Sequence, residues 1–452
     1  MTQSDSPVAK TPAEDVYLAP RFGLIEFIRR LREDRLSVIA PESYRRNLIR
    51  NRIFFLDSFV VNKPEYIEHV LLSNHRNYVK SQLARTLLGP LLGNGLLLSE
   101  GAFWRRQRAI AAPAFQPKRV GGFVDVMAAE AQAMAEDWSG RREPFDVAAE
   151  MMALTLTIIA RTMFSTAIAG EIETVRQLMD QVVAQPPNLL DLFGLPRWLP
   201  RSQPKNYRAA VRAFDALVSR IIAERRAQGV DHGDLLSMLL SARDPESGEG
   251  MSDKQLRDEI LTFFVAGHET TANALSWTWH LLAQYPDVEA KLRAELARVL
   301  GGRAPNFADL AELQYTRMVI EEAMRLYPPA HTISRTALRE DWIGGVRIPA
   351  GAVIFINVYV THRNPNLWPE PERFDPERFA PEAVAKRHRF AYLPFGGGPR
   401  VCIGNGFAMA EAQTILATLA QRCRLRPAPD HEVKPIGLVT LRPKDGVWMK
   451  IA

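Results

Sequence analysis

The stretch from Ser252 to Gln284 opens with the capping-box pair Ser252 and Gln255, runs on through a long apolar sequence, and meets no proline before Pro286. That pattern dictates one long helix over 252–284, around which the rest of the chain must pack. Helical periodicity also marks 122–138, 147–166, 207–227, 287–300, 313–326 and 406–422. Alternation of the strand type is confined to 53–62, 342–360 and the C-terminal 438–451. The expected fold is therefore mainly α, with small β-sheets at one side. No Gly/Ser linker, low-complexity tract or repeat divides residues 20 to 450, so residues 21–452 read as a single domain behind a flexible N-terminus, 1–20. Two apolar stretches break the helical pattern, SQLARTLLGPLLGNGLLLSE (81–100) and the proline-rich 184–205, and both suit lids over an apolar site.

The middle of the long helix is poorly made for a helix. Gly267, Glu269, Thr270 and Thr271 sit where strong helix formers belong, at a cost of about 1–2 kcal/mol in propensity. Something must offset that cost. Ala266 and Thr270 share a face, so the Thr270 hydroxyl can bond the carbonyl four residues back or turn toward a ligand, opening a groove in the helix. His268-Glu269 is not a zinc-protease motif, because position 272 is Ala.

Only two cysteines, Cys402 and Cys423, occur in 452 residues. They cannot form a disulfide framework, and a reducing interior is the expected compartment. No leader pattern and no run of 18 apolar residues is present, so a soluble cytoplasmic protein with no transmembrane segment is expected. The formal net charge of +6 lies in short Arg clusters. That is too mild for nucleic acid and allows an acidic protein partner.

Cys402 sits in PFGGGPRVCIGNGFAMAEAQ, residues 394–413, at the end of a glycine turn and the start of a helix. A helix N-terminus and the neighbouring Arg400 both favour thiolate, which suits a metal ligand or a nucleophile. Other readings compete: a lone cysteine is most often a small buried hydrophobe, and a cysteine hydrolase would need a His and an orienting group placed nearby. The near-fingerprint at Gly404 and Gly406 is no dinucleotide site, since position 409 is Met.

The spacing Phe395, Gly398, Arg400, Cys402, Gly404 resembles the haem-binding signature of the cytochrome P450 superfamily. Four further segments resemble that family in the same order along the chain. FWRRQR carries Trp104 and Arg108; FFVAGHETTANALSW carries Ala266, Gly267, Glu269, Thr270 and Thr271; EEAMRLYPP carries Glu322 and Arg325; and HTISRTA carries Arg335. After Arg335, HRNPNLWPEPERFDPERF is similar to the family's meander and supplies Arg378.

The resemblance implies a triangular-prism, mainly α fold and haem b held by an axial Cys402 thiolate. It places Arg400, Trp104, Arg108 and Arg335 on the propionates, with Phe395, Gly404 and Ala266 lining the haem, and it makes Glu322, Arg325 and Arg378 a structural network. Thr270 and Glu269 would deliver protons, Glu269 by turning outward to solvent. Leu87, Leu88, Leu91, Leu92, Phe263, Phe264, Val265 and Ile333 would line a substrate pocket. The implied reaction is insertion of one oxygen atom from O2 into a C–H bond of a hydrophobic small molecule by a monomer. Electrons would come from a separate ferredoxin- or flavodoxin-type donor drawn to Arg105, Arg106, Lys386, Arg387 and Arg389. Peroxide-using, isomerising and non-catalytic haem-binding relatives are the alternatives.

Overall fold

The computed structural model describes residues 33–53, 56–165, 205–244 and 246–452, together with the isolated positions 17, 18, 26, 29, 30 and 177. Its helices of seven residues or more are α1 (Gln82–Leu92), α2 (Gly101–Ala111), α3 (Val124–Ser139), α4 (Val147–Phe164), α5 (Lys205–Gln228), α6 (Leu235–Ser241), α7 (Asp253–Gln284), α8 (Pro286–Leu300), α9 (Gln314–Leu326) and α10 (Asn405–Arg422). The seven helices expected from periodicity all form, with ends displaced by no more than two residues.

Helix α7 starts from the capping box read in the sequence: Ser252 Oγ accepts from the Gln255 N–H, and Gln255 returns the bond to the Ser252 N–H. At about 1.5 Å per residue its 32 residues span roughly 48 Å. It packs along α4 and against α5, α9 and α10, while Ala266 and Thr270 near its midpoint keep exposed surface. The expected offset for its poor midsection comes from packing on α4, while the threonines bond carbonyls along the helix. Thr270 Oγ1 donates to Ala266 O (2.7 Å), Thr271 Oγ1 to Gly267 O (3.1 Å), and Thr155 Oγ1 of α4 to His268 O (3.0 Å). Gly267 lets α4 come close, since a Cβ there would lie 3.0 Å from Ile159 Cδ1. No break in α7 accompanies these bonds, so the anticipated groove amounts to carbonyls bonded by hydroxyls within a continuous helix.

One six-stranded sheet lies beside the helices. Its strands are β1 (Tyr17–Leu18), β2 (Leu48–Ile53), β3 (Leu56–Val61), β4 (Tyr78–Lys80), β6 (Ile333–Ala337) and β9 (Val353–Ile356), in the order β1-β2-β3-β9-β6-β4. Strand β5 (Phe145–Asp146) pairs with the C-terminal β13 (Trp448–Ile451), which also pairs with β10 (Leu425–Pro427). Two hairpins complete the set, β7 (Asp341–Ile343) with β8 (Val346–Ile348), and β11 (Pro435–Gly437) with β12 (Leu441–Pro443). The core divides accordingly: a larger cluster is built by the helices, and a smaller one, around Phe59, Ile354, Ile356 and Leu393, by the sheet.

The sequence reading differs from the structure in a few places. Residues 82–92 of the expected irregular lid form α1, because Ser81 caps the helix and Pro90 falls near its end, two residues before Leu92. Val358–Thr361, expected to extend a strand, is a short helix capped by Asn357. Cys423 caps the end of α10 instead of lying inside it, and is buried. The second expected lid, 184–205, lies outside the described residues except for Lys205, as does the N-terminus 1–20 except for Tyr17 and Leu18. Helix α4 is long and apolar enough to cross a membrane, but 61% of it is buried inside the protein, as befits a core helix.

Candidate active site

Cys402 stands where the glycine turn meets α10. Its N–H donates to Phe395 O (3.0 Å), closing the turn. Gly398 is required there: its φ is +65°, and any Cβ would overlap the Leu71 carbonyl oxygen. Cys402 retains exposed surface, yet protein encloses it closely enough that burial raises its thiol pKa above the usual value. The Gly404 N–H and the Arg108 charge oppose that rise without reversing it. The helix terminus and Arg108 thus favour thiolate less than burial opposes it, and coordination to a metal would deprotonate the thiol outright.

The turn and the central helix approach each other through one aromatic residue. Phe115 sits 3.7 Å from where a Gly404 Cβ would be, and its ring meets Phe263 of α7 edge to face at 5.1 Å. Phe263, Ala266 and Thr270 occupy one face of α7 at i, i+3 and i+7 spacing. Ala266 is exposed and Thr270 partly so. Across the helix, Phe264 packs against Phe164, Phe214 and His268. Phe264 thus points into the core, on a different side of α7 from the Ala266/Thr270 face, where it lines a small cavity with Phe164, Phe214 and Ile260. Leu91 and Leu92 are likewise buried in the helical core, at 3% and 1% exposure. Leu88 and Val265 are partly buried against that core. Ile333 reaches the cysteine turn, its Cδ1 lying 3.7 Å from a Cβ placed on Gly396. The side chain of Leu87 lies outside the description.

Cations crowd the rim. Arg400 stacks on Trp104 with its guanidinium carbon 4.0 Å from the ring centre, and donates to Ser99 O (2.7 Å) and to the Glu100 carboxylate. Arg108 donates to Val401 O (2.9 Å), tying α2 to the cysteine turn. Strand pairing sets Lys80 directly opposite Arg335, a like-charge pair that is unfavourable unless an anion intervenes. Burial, then Arg400, lowers the Arg335 pKa to about 10, and Lys80 is pushed well below its usual value by burial, Arg335 and Arg400. Lys80, Arg85, Arg335 and Arg400 share the carboxylate of Glu100, and Arg108 adds a fifth charge beside Arg400. Arg400 Nη1 is buried with no hydrogen-bond partner among the described residues. Neither Lys80 nor Glu100 was singled out in the sequence. The strand register, invisible without pairing, is what brings Lys80 in.

Glu269 departs from expectation. It is 4% exposed and turned into protein, where its Oε1 accepts from Thr440 Oγ1 (2.5 Å) and Arg442 Nη2 (2.6 Å) of the C-terminal hairpin. Helical phase puts it about 100° from Thr270, so the neighbours face different structures.

Near the meander three charged residues come together. Arg325 Nε and Nη2 donate to the two carboxylate oxygens of Glu322 (2.7 and 2.8 Å), and Arg378 Nε lies 3.4 Å from Glu322 Oε1. Of the surface cations assigned to a partner, Arg105, Lys386 and Arg389 are exposed. Arg106 is paired to Asp244 and Glu249 (2.8 and 3.0 Å), and Arg387 stacks on Trp368 at 4.2 Å, so both are already engaged within the chain.

The cytochrome P450 family profile matches residues 43–448. The chain is a cytochrome P450. It is 41% identical to cyclooctatin synthase of Streptomyces melanosporofaciens, over 82% of this chain and 81% of that one. It is 38% identical to cyclooctat-9-en-7-ol 5-monooxygenase of the same organism, over 87% of this chain and 86% of the relative. Pentalenene oxygenase of Streptomyces avermitilis is 33% identical over 90% of both. A crystal structure of the cytochrome P450DA haem domain superposes with a TM-score of 0.82 at 27% identity, covering 97% of this chain and 98% of that one. This P450 is accordingly a haem-dependent monooxygenase, of a family that uses O2, a redox partner and hydrophobic substrates. The residues present fit the cofactor. The cysteine turn meets the central helix across Phe115, and the rim carries more cation than carboxylate, with an orphaned Arg400 N–H, as a group bearing two propionates requires.

Proposed function

We propose that this P450 hydroxylates a C–H bond of an apolar terpene-type substrate, with residues 21–452 as its single catalytic domain in the cytoplasm. The observation that carries the site assignment is the Gly404–Phe115–Phe263 contact, which sets the Ala266/Thr270 face of α7 one aromatic ring from the cysteine turn. Cys402 would be the axial ligand, with Arg400, Trp104, Arg108 and Arg335 on the propionates and Lys80 reinforcing them. Haem bound there supplies the activation of O2 for insertion into the C–H bond. The chain's own residues supply position and protons. Phe263 and Ile333 offer an apolar wall that keeps bulk water out, and Thr270 offers a hydroxyl on the exposed side of the helix. The terpene class is suggested by the three relatives, whose names specify cyclooctatin, cyclooctat-9-en-7-ol and pentalenene chemistry. A panel of cyclic terpenes, fatty acids, steroids and aromatics, screened by the substrate-induced shift of the Soret band, tests it. A shift with terpenes and none with fatty acids is the expected result; the reverse would move the substrate class.

Removing the Thr270 hydroxyl is expected to leave haem content and substrate affinity intact while product formed per reductant falls on the order of 10²-fold, the low end of what a placed proton donor contributes. Peroxide would be released in its place. Retention of the parent's yield by Thr270→Ala would confine that hydroxyl to its bond with Ala266 O.

Electron supply by an acidic ferredoxin- or flavodoxin-type partner rests on the exposed Arg105, Lys386 and Arg389. First-electron transfer should slow with rising salt, and Arg105→Ala with Arg389→Ala should slow it at low salt without changing substrate binding. Reduction indifferent to salt would sink this assignment.

A further inference from the structure

The C-terminal hairpin makes a connection that the oxygen chemistry of the family does not by itself require. Strands β11 and β12 pair Ile436 with Arg442 and Gly437 with Leu441, leaving Leu438, Val439 and Thr440 as the tip. That tip is tied on two sides. Toward the sheet, His331 Nε2 lies 3.1 Å from Leu438 O, two residues before the pocket residue Ile333. Toward the central helix, Thr440 donates to Glu269 Oε1 at 2.5 Å and accepts from Asn273 Nδ2 at 3.3 Å. Glu269 and Asn273 are one helical turn apart and so present one face to the hairpin. A hydroxyl has a single proton to donate, and the carboxylate takes it; the amide then fills the remaining lone pair.

Arg442 completes the arrangement. Its Nη2 lies 2.6 Å from the same Glu269 oxygen, while its Nε is buried without a hydrogen-bond partner among the described residues. An arginine left with an orphaned N–H in place of a bidentate grip on the carboxylate holds that carboxylate through one oxygen only. The acid is thereby fixed in direction but not locked. The Arg442 side chain is 28% exposed against 5% for Glu269, so the pair also marks the side of the buried acid nearest to water.

The geometry points to Arg442, with Thr440, as the positioning residue that holds Glu269 in register beside Thr270 and connects it to solvent through the hairpin. This inference rests on the reading of Glu269 as a proton-delivering residue and adds the group that controls it. Without Arg442, the buried carboxylate loses its cation and keeps a proton or swings away, as a stranded partner of a buried pair does. The link also gives substrate a mechanical route to the acid, because the tip that carries Thr440 is bonded through Leu438 to the segment leading into Ile333.

The test compares Arg442→Gln, Arg442→Lys, Glu269→Gln and the double variant Glu269→Gln/Arg442→Gln in the haem-loaded enzyme. Folding is certified by the reduced-CO spectrum and by an unchanged substrate-induced Soret shift. Arg442→Gln should lower product per reductant by about tenfold and enlarge the solvent isotope effect, while Arg442→Lys, which keeps the charge, recovers most of the loss. In the Glu269→Gln background the same change should add nothing. Infrared difference spectra against the parent, which cancel the buried acids Glu411 and Glu259 that burial raises to about 8 and about 7, give a second readout independent of turnover: Arg442→Gln should add one carboxylic-acid C=O band that the double variant lacks. Equal losses in both backgrounds would show that Arg442 serves only hairpin stability, and no loss in either would also overturn the proposal. If Glu269→Gln alone leaves turnover unchanged, the reading of Glu269 fails first. If Glu269→Gln is slow and Arg442→Gln is not, only the positioning role fails.

Discussion

Cys402→Ser should abolish the red-shifted band that the reduced, CO-bound enzyme shows, and turnover with it. The reason is the environment and not merely the element. The parent thiol is held up in pKa by burial and moderated by the Gly404 N–H and the Arg108 charge, so Cys402 would hold haem iron as a thiolate, its proton displaced by the metal. A serine hydroxyl at the same position is a far weaker acid and a harder donor, and the electron push that favours O–O cleavage is lost. The control is Cys423→Ser. Cys423 is buried at the end of α10, its sulfur 3.9 Å from Ala135 O, and burial raises its thiol pKa against the opposing charges of Arg293 and Arg422. Replacing it should keep the band and cost only packing. A band that survives Cys402→Ser and disappears with Cys423→Ser would reverse the assignment.

Arg325→Ala should be the most destabilising single change in the described chain. All five N–H groups of the guanidinium are used: two on Glu322, and three on the carbonyls of His362 (2.7 Å), Pro371 (2.8 Å) and Arg373 (3.1 Å). Both Arg325 and Glu322 are 0% exposed. Truncation strands a buried carboxylate and three carbonyls at once, and it removes the cation stacked 5.1 Å over Trp368. Breaking a buried pair in this way costs about 3–5 kcal/mol. Arg325→Lys should fail to rescue, because an ammonium cannot span a carboxylate and three carbonyls with one planar fork. The measurement is Tm together with haem content. A fall in Tm of only a degree or two would show the network to be redundant.

What could be read from the sequence followed from local rules. The capping box at Ser252, the glycine turn before Cys402 and the spacing of Glu322 and Arg325 are all encoded within a few residues of each other, and each appears where those rules place it. What could not be read depends on chain segments far apart. The resemblance implied that Glu269 turns outward to solvent as a proton relay; it faces Arg442, 173 residues on, which only the packing of the hairpin reveals. Lys80 enters the cation cluster through its pairing with Arg335 across β4 and β6, a register fixed by the whole sheet. Phe263 and Phe264 are indistinguishable by composition, and only the rotation of α7 sends one toward Phe115 and the other into the core. In the same way, Arg106 and Arg387 look like surface charge until Asp244, Glu249 and Trp368 are folded against them. Helix α1 was missed for a different reason: Gly89 and Pro90 weigh against a helix, but they fall in its last turn, so the turns from the Ser81 cap onward form before Pro90 forfeits its bond and Gly93, at φ +57°, ends the helix.

The central claim, that this P450 places one atom of O2 into a C–H bond beside Cys402, is tested most directly by turnover under isotopically labelled dioxygen. With a substrate that shifts the Soret band and an external electron donor, the product should carry one labelled oxygen atom per molecule, and Cys402→Ser should yield none. Product whose new oxygen comes from water or from added peroxide in the absence of O2 would contradict the account.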